Sequence, residues 1–323
     1  MRAPLTVYLE VTRDCNLSCG HCLIEKESVS MPVSEGKRLL DQLIENRVFK
    51  VYFTGGEPLL YSGLYELLEY ISEKPIWSLI QTNGLLITDE VAETLKKVGV
   101  GACDLPLFGI MPETHDFITH LPGSFEKLFS AINILNNHDV RTFVSFVVTR
   151  FNVQEFSQFF DWAFQKGIPL AHIRRCIPRS PHDEFVPHTD ALMPIFREYS
   201  PRRDEYDKKG LHFEIEEAFN SLEVQGARCP AGTQLCHISA EGNIQPCPYI
   251  PVKGESVFEK SFASLWENSS LLRKVRQATV SAGKCMKCKY TTSCGGGCMA
   301  SAYTVTGSFE NPDPLCMAHP DPE

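Results

Sequence analysis

The sequence has no apolar run approaching the ~18 residues that a membrane-spanning helix requires, and its start, from Met1 to Asp14, carries acids where a secretion signal would be apolar. It has no internal repeat and no low-complexity tract. Cations are outnumbered, 31 Lys and Arg against 40 Asp and Glu, for a net charge of −9. Affinity for a phosphate backbone rests on clustered Lys and Arg, so nucleic acid is excluded as the main partner. These absences predict a cytoplasmic protein with neither membrane nor nucleic acid among its partners. The cytosol keeps thiols reduced, which in turn excludes a disulfide framework. Cysteine, however, is plentiful, with 13 in 323 residues. Metal ligation is the default reading of so many thiols, against the plainer alternatives of zinc ribbons or buried thiols acting as small hydrophobes.

A hydrophobic content of 43% over this length supports one large core plus a small appendage. From the N-terminus, short apolar runs alternate with helical patterns. Strands are predicted at Leu5–Val11, Phe49–Phe53, Ile76–Gln81, Gly101–Leu107, Val140–Val148 and Leu170–Arg174. Helices are predicted at Ser34–Arg47, Leu64–Ser72, Thr88–Val98, Ser124–Asn136 and Val153–Lys166. Six βα units are too few to close an eight-stranded barrel, so the expected fold is α/β, a partial (β/α)6 barrel with its site at the C-terminal strand ends. After Cys176 five prolines and the charged stretch Arg202–Lys209 break the rhythm. We therefore divide the chain into residues 1–213, with a bridge at about 177–213, and a small cysteine-rich iron–sulfur domain at 214–323. That second part holds eight of the thirteen cysteines, one clear helix at Phe262–Gln277, and a fold expected to form around its metals.

Directly after the first strand stands Cys15-Asn-Leu-Ser-Cys19-Gly-His-Cys22. Three thiols can hold three irons of a [4Fe–4S] cube and leave the fourth open to an exogenous ligand; a zinc site recruiting a remote ligand such as His21 is the alternative from spacing alone. The pattern Cys-x3-Cys-x2-Cys after the first strand of a partial barrel resembles the radical S-adenosylmethionine (SAM) superfamily, in which His21 stands where an aromatic is usual. Gly55-Gly56-Glu57-Pro58 after the second strand resembles the family segment that binds the cofactor's amino group. Thr82-Asn83-Gly84 after the third falls where polar residues line the family site. Leu107-Phe108-Gly109 and His115-Asp116 resemble a further family segment, although the pair also fits plain capping and packing. Pro106 and Thr119 replace a serine and an arginine common in the family, which leaves Thr119, His120 and Arg174 as candidates for the cofactor's carboxylate.

The remaining cysteines read Cys229-x6-Cys236-x10-Cys247 and Cys285-x2-Cys288-x5-Cys294-x3-Cys298-x17-Cys316, with Gly242 ahead of Cys247 and three glycines before Cys298. This resembles the SPASM domain of peptide-modifying radical enzymes. The resemblance implies two auxiliary clusters with interleaved ligands, one on Cys229, Cys236, Cys247 and Cys298, the other on Cys285, Cys288, Cys294 and Cys316. A single zinc ribbon on Cys285, Cys288, Cys294 and Cys298 would leave the other four unexplained. Cys103 and Cys176 fall outside all three sets, as buried small hydrophobes.

The resemblance further implies three [4Fe–4S] clusters, SAM as cofactor, and a catalytic cluster on Cys15, Cys19 and Cys22 that generates a 5′-deoxyadenosyl radical. Fully ligated auxiliary clusters would then accept an electron from the substrate radical. The expected substrate is a ribosomal peptide, oxidised or cross-linked; a tetrapyrrole is the alternative, and a non-catalytic electron carrier the remote one. The expected reductant is a flavodoxin or ferredoxin. No extension precedes the first strand, so a peptide would dock directly or through a separate leader-binding protein.

Overall fold

The computed structural model describes residues 3–215 and 228–316, without the side chains of residues 193–200. Its first part alternates β1 (Thr6–Thr12), α1 (Val33–Glu45), β2 (Lys50–Gly55), α2 (Leu64–Ile71), β3 (Trp77–Gln81), α3 (Asp89–Lys97) and β4 (Ala102–Leu107). It continues with α4 (Pro112–Thr119), α5 (Ser124–Asn137), β5 (Thr142–Val148), α6 (Phe156–Gln165), β6 (Leu170–Arg175), α7 (Thr189–Asp207) and β7 (His212–Ile215). The second part adds β8 (Leu235–Ile238), β9 (Ile244–Gln245), α8 (Phe262–Asn268), α9 (Ser270–Gln277), α10 (Thr291–Cys294) and α11 (Met299–Thr306).

The nine strands of the described residues form one sheet in the order β7-β6-β5-β4-β3-β2-β1-β8-β9, and every pair is parallel except β8 with β9. Side chains alternate between the two faces of a strand. Val7, Leu9, Val11, Val51, Phe53, Val144 and Phe146 face the helices and form the main core. The opposite set faces the barrel lumen and mixes an apolar cluster, Tyr52, Leu79, Ala102 and Phe143, with polar groups: Tyr8, Lys50, Tyr52, His172 and Arg174 line a cavity there. A closed barrel of this type fills its lumen with branched apolar residues. This one keeps hydrogen-bonding groups in that space, as a substrate site requires.

The six expected units are present, and a seventh strand follows. The helix α7 runs through the positions of Pro194 and Pro201, where the sequence predicts a break. Proline in a helix interior costs about 3 kcal/mol, and here the C-terminal end is held by tertiary contacts. Tyr206 stacks on Phe160 and meets Phe213 edge-on, and Arg202 pairs with Asp161 at 3.5 Å. Consequently β7 joins the sheet beside β6, and the expected boundary at 213/214 falls inside a strand. The expected single helix at Phe262–Gln277 is two. Ser269 between them is extended, and its hydroxyl donates to Glu255 at 2.6 Å.

Among the described residues no helix is long and apolar enough to cross a membrane.

Candidate active site and cluster-binding cysteines

Cys15, Cys19 and Cys22 sit on the loop leaving β1. Gly55 and Gly56 press that loop into place. A Cβ on Gly55, whose φ is +143°, would lie 2.1 Å from the Thr12 carbonyl, and one on Gly56 would lie 2.2 Å from the Asp14 carbonyl. The two backbones are tied by bonds from Gly56 N to Thr12 O (2.8 Å) and from Glu57 N to Asp14 O (2.7 Å). Only glycine permits that approach. The three thiols gather there: burial, then the neighbouring Cys22 and Cys15, push Cys19 up to about 12. Burial likewise raises Cys15, with Glu57 and Cys22 adding to it. His21 is packed under Phe108, ring centroids 4.4 Å apart, as an aromatic would be. Its Nδ1 is buried with no hydrogen-bond partner among the described residues.

The Glu57 carboxylate is turned into the protein. It accepts from Leu59 N (3.0 Å), Thr82 Oγ1 (2.8 Å) and Asn83 N (2.8 Å), while burial raises it to about 7. Glu57 thus joins the ends of β2 and β3, and its backbone rather than its side chain lies against the cysteine loop. Pro58 starts the following turn. Asn83 Nδ2 donates to Asn16 Oδ1 at 2.7 Å and lies 4.0 Å from Cys15 Sγ, which brings the end of β3 to the same loop.

Other candidates are not brought there. The Thr119 hydroxyl is buried on α4 between Ser124 Oγ (2.6 Å) and the carbonyls of His115 and Asp116. Asp116 accepts from Gly123 N, Ser124 Oγ and Phe125 N at the start of α5. His115 Nδ1 accepts from Phe108 N at 3.2 Å, and burial lowers the imidazole to about 4. Capping and packing therefore account for this pair. Its neighbour His120 adopts the left-handed conformation that ends α4. Arg174 faces the lumen and pairs with Asp104 at 2.8 Å. Burial alone would raise Asp104, but Arg174 and His172 nearby, with hydrogen bonds from Ser145 and Gln81, hold it below the ordinary range.

The C-terminal thiols form two groups. Around Cys285 lie Cys316, Cys294 and Cys288, which add to the effect of burial in raising it. Around Cys247 lie Cys229 and Cys298, which do the same. Between Cys294 and Cys298 the three glycines all have positive φ: +68°, +99° and +85°. A Cβ on Gly296 would meet Val280 at 2.1 Å. That left-handed run reverses the chain, so cysteines four apart face different groups.

These arrangements agree with what comparison with known proteins shows. The model of the radical SAM superfamily matches residues 9–163, and that of the SPASM iron–sulfur cluster-binding domain matches residues 229–294. The chain belongs to the radical SAM superfamily and carries a SPASM domain. An AdoMet-dependent heme synthase of Methanosarcina barkeri is 28% identical, covering 98% of this chain and 97% of its own length. The mycofactocin maturase MftC of Mycolicibacterium smegmatis is 29% identical over 98% of this chain and 83% of its own. Among solved structures, Streptococcus suis SuiB bound to its precursor peptide SuiA superposes with a TM-score of 0.81 at 21% identity, covering 98% of this chain and 77% of that one. The chain is thus an iron–sulfur enzyme of the radical SAM class.

The donor set suits [4Fe–4S] clusters. All are cysteine thiols, the ligands that hold such clusters, and the three of the first SPASM group open onto a cavity of about 220 Å³. One expected ligand is displaced. Cys236 lies in register with Val7 on β1, and its side chain joins the main core with Val7, Leu9 and Ile238, away from Cys229, Cys247 and Cys298. The reason is strand alternation: with Leu235 facing the cavity, Cys236 must face the helices.

Contacts invisible to spacing join the two parts of the radical SAM enzyme. Arg175, at the end of β6, pairs with Asp313 at 2.6 Å and donates to Ser301 Oγ at 3.1 Å. Asp313 in turn accepts from Cys298 N at 3.0 Å. Arg13 contacts Glu10, Glu27 and Glu241, tying the cysteine loop to the β8–β9 turn. Arg179 bonds to Asp183 and to the carbonyl of Gly20 inside the cysteine triplet.

Proposed function

We propose that this enzyme oxidises or cross-links a side chain of a ribosomal peptide, with Cys15, Cys19 and Cys22 holding the catalytic cluster and the SPASM cysteines holding two auxiliary [4Fe–4S] clusters. Bound there, the catalytic cluster and SAM supply a 5′-deoxyadenosyl radical that removes hydrogen from the substrate. The protein's share is positioning. Gly55, Gly56 and the backbone of Glu57 and Pro58 would hold the cofactor's amino group, and Thr82 and Asn83 set the third strand end beside them. The lumen, with Asp104 and Arg174 fixed by their ion pair, receives the substrate and keeps bulk water away.

The observation that carries the peptide reading is the likeness to peptide maturases, MftC at 29% identity over 98% of this chain and PqqA peptide cyclase at 24% over 98%. The lumen cavity of about 220 Å³ mixes polar side chains, Lys50, His172 and Arg174, with apolar ones, Ile215, Leu235 and Ala300. The heme synthase relatives, which span nearly the whole chain, favour a second reading in which a tetrapyrrole presents a peripheral carboxylate to the same lumen. Supporting partners are a flavodoxin or ferredoxin as reductant and, for a peptide, a separate leader-binding protein. The many thiols suit the reducing cytoplasm.

The test is anaerobic reconstitution followed by cofactor cleavage. The wild-type protein should release 5′-deoxyadenosine, whereas replacing Cys15, Cys19 and Cys22 together by Ala should abolish it and leave the auxiliary clusters in place. Undiminished release from the triple variant would refute the assignment. Where a short peptide is encoded beside the gene, incubation with it should then yield a product that has lost hydrogen. Loss of carbon dioxide from a supplied tetrapyrrole, with the peptide untouched, would establish the second reading instead.

A further inference from the structure

Arg175 carries more than a clamp between the two parts of the chain requires. At the end of β6 its Nη2 donates to Asp313 Oδ2 at 2.6 Å and to Ser301 Oγ at 3.1 Å. Both bonds use the same nitrogen. The side chain is 3% exposed and that of Asp313 is fully buried. Its Nε is buried as well, and has no hydrogen-bond partner among the described residues. A buried donor left unpaired costs about 1–3 kcal/mol, and more when the group is charged, so an acceptor belongs beside it.

The glycine run brings a cluster thiol to that place. Asp313 Oδ2, the oxygen that Arg175 grips, also accepts from Cys298 N at 3.0 Å, while Asp313 N donates to Gly296 O at 2.9 Å. A Cβ on Gly297 would lie 2.9 Å from the same oxygen, so only glycine lets the turn come so close. Burial alone would lower the guanidinium, yet Asp313, and after it Cys298, raise it above the ordinary arginine value. Cys298 in turn lines the lumen cavity with Cys229 and Cys247. The cation therefore stands beside one corner of that thiol group.

We propose that Arg175 raises the reduction potential of the auxiliary cluster on Cys229, Cys247 and Cys298, its Nε–H donating to a sulfur at the Cys298 corner. The inference rests on the function proposed above and deepens it. Reduction adds one negative charge to a cluster, so a fixed cation and a hydrogen bond to sulfur both favour the reduced form. Sealed from water, the charge of Arg175 is screened little. It makes this cluster a better acceptor for the electron that oxidation of the substrate releases. Arg175 itself transfers no atom and takes no electron; its effect is electrostatic.

The experiment uses the full chain, reconstituted anaerobically, with Cys15, Cys19 and Cys22 replaced by Ala so that only the auxiliary clusters are read. Redox titration followed by electron paramagnetic resonance should give two midpoints, and the one that Cys247→Ala removes belongs to this cluster. Arg175→Met should lower that midpoint by about 59 mV or more, a tenfold change in the ratio of reduced to oxidised cluster for one electron, and leave the other in place. Asp313→Asn, which removes the opposing charge, should move it the other way. A change below tenfold in Arg175→Met, or shifts of the same sign in the two variants, would overturn the proposal. A readout that does not depend on these variants folding comes from protein grown on isotope-labelled arginine. Once reduced, it should show coupling of a guanidinium nitrogen to the cluster in pulsed resonance, and Arg175→Lys should remove that coupling. No coupling at all, or a spectrum unchanged by Arg175→Lys, would equally overturn it. Iron content, and release of 5′-deoxyadenosine by the protein with its triplet intact, are measured alongside. Failure there refutes the parent reading, whereas two intact auxiliary clusters with an unmoved midpoint refute this one alone.

Discussion

Replacing Arg175 by Met tests how the barrel holds its SPASM domain. The guanidinium is 3% exposed and its partner Asp313 is fully buried, so the pair is sealed from water. Removing one partner of a buried pair costs about 3–5 kcal/mol, because the remaining charge is stranded. Asp313 would not be wholly stranded, since its carboxylate still accepts from Cys298 N and Leu315 N, both at 3.0 Å. Each bond to a charged group contributes about 1.5–3 kcal/mol. The loss should therefore fall at the lower end, about 3 kcal/mol. Methionine fills most of the arginine stem's volume, which keeps a cavity cost small. The assay is guanidinium denaturation of the reconstituted protein, following cluster absorbance. The variant's midpoint should fall, with the auxiliary absorbance lost before the barrel unfolds. Adding Asp313→Asn should recover about 1 kcal/mol by removing the buried charge, a coupling expected for residues in direct contact. A single variant within about 0.5 kcal/mol of wild type, the usual scatter of surface changes, would refute the reasoning. So would a double variant less stable than the single one.

Gly56→Ala places a Cβ 2.2 Å from the Asp14 carbonyl, so the cysteine loop must shift; displacement of about 1 Å at a reacting centre can cost about 10²-fold, and 5′-deoxyadenosine release should fall on that scale while auxiliary iron is retained. A fall of less than threefold would count against the clamp. His115 is held neutral with its value lowered from 6.5 to about 4, chiefly by burial, so the unfolded chain takes up a proton that the native state refuses as pH drops through that window. Stability from this group is present above pH 6.5 and lost on the way to pH 4, and pH-dependent melts should show this limb flattened in His115→Phe. Cys294→Ala and Cys298→Ala should each remove one auxiliary cluster, and a different one in each; Mössbauer spectra showing the same cluster lost from both would refute the separation by the glycine run.

What was legible in the sequence was whatever depends on local period and spacing. The strand runs, the Cys-x3-Cys-x2-Cys loop and the Gly-Gly pair were readable because each rests on neighbours within a few residues. The helix α7 was not, because proline is a local penalty and the contacts that overcome it come from Phe160, Asp161 and Phe213 elsewhere in the chain. Arg175 and Asp313 are separated by 138 positions and carry no pattern that marks them as a pair. Thr119 was misplaced for a related reason: alignment to a motif puts a residue on the right helix without saying which way its side chain points, and the hydroxyl turns to Ser124.

Cys236 shows the same limit with the largest functional consequence. Spacing counts a thiol, but ligation needs a direction, and in a strand that direction is set by register with the neighbour. Val7 is apolar and faces the helices, so the residue beside it on β8 must do likewise, whatever its chemistry. The three thiols left at this site open onto the cavity lined by Thr6, at the start of β1, whereas the Cys15 loop leaves β1 after Thr12. Seven residues of strand span about 20 Å. A substrate that entered from the auxiliary end would therefore have to reach along the lumen to the Cys15 loop, beside Tyr8 and Tyr52 stacked at 4.7 Å and beside Arg174, all of which line the cavity. An extended peptide, advancing about 3.3 Å per residue, covers that distance in six residues or so. On this reasoning, lengthening or shortening a peptide between the residue held in the cavity and its reacting residue should change where hydrogen is lost before it changes whether the peptide binds.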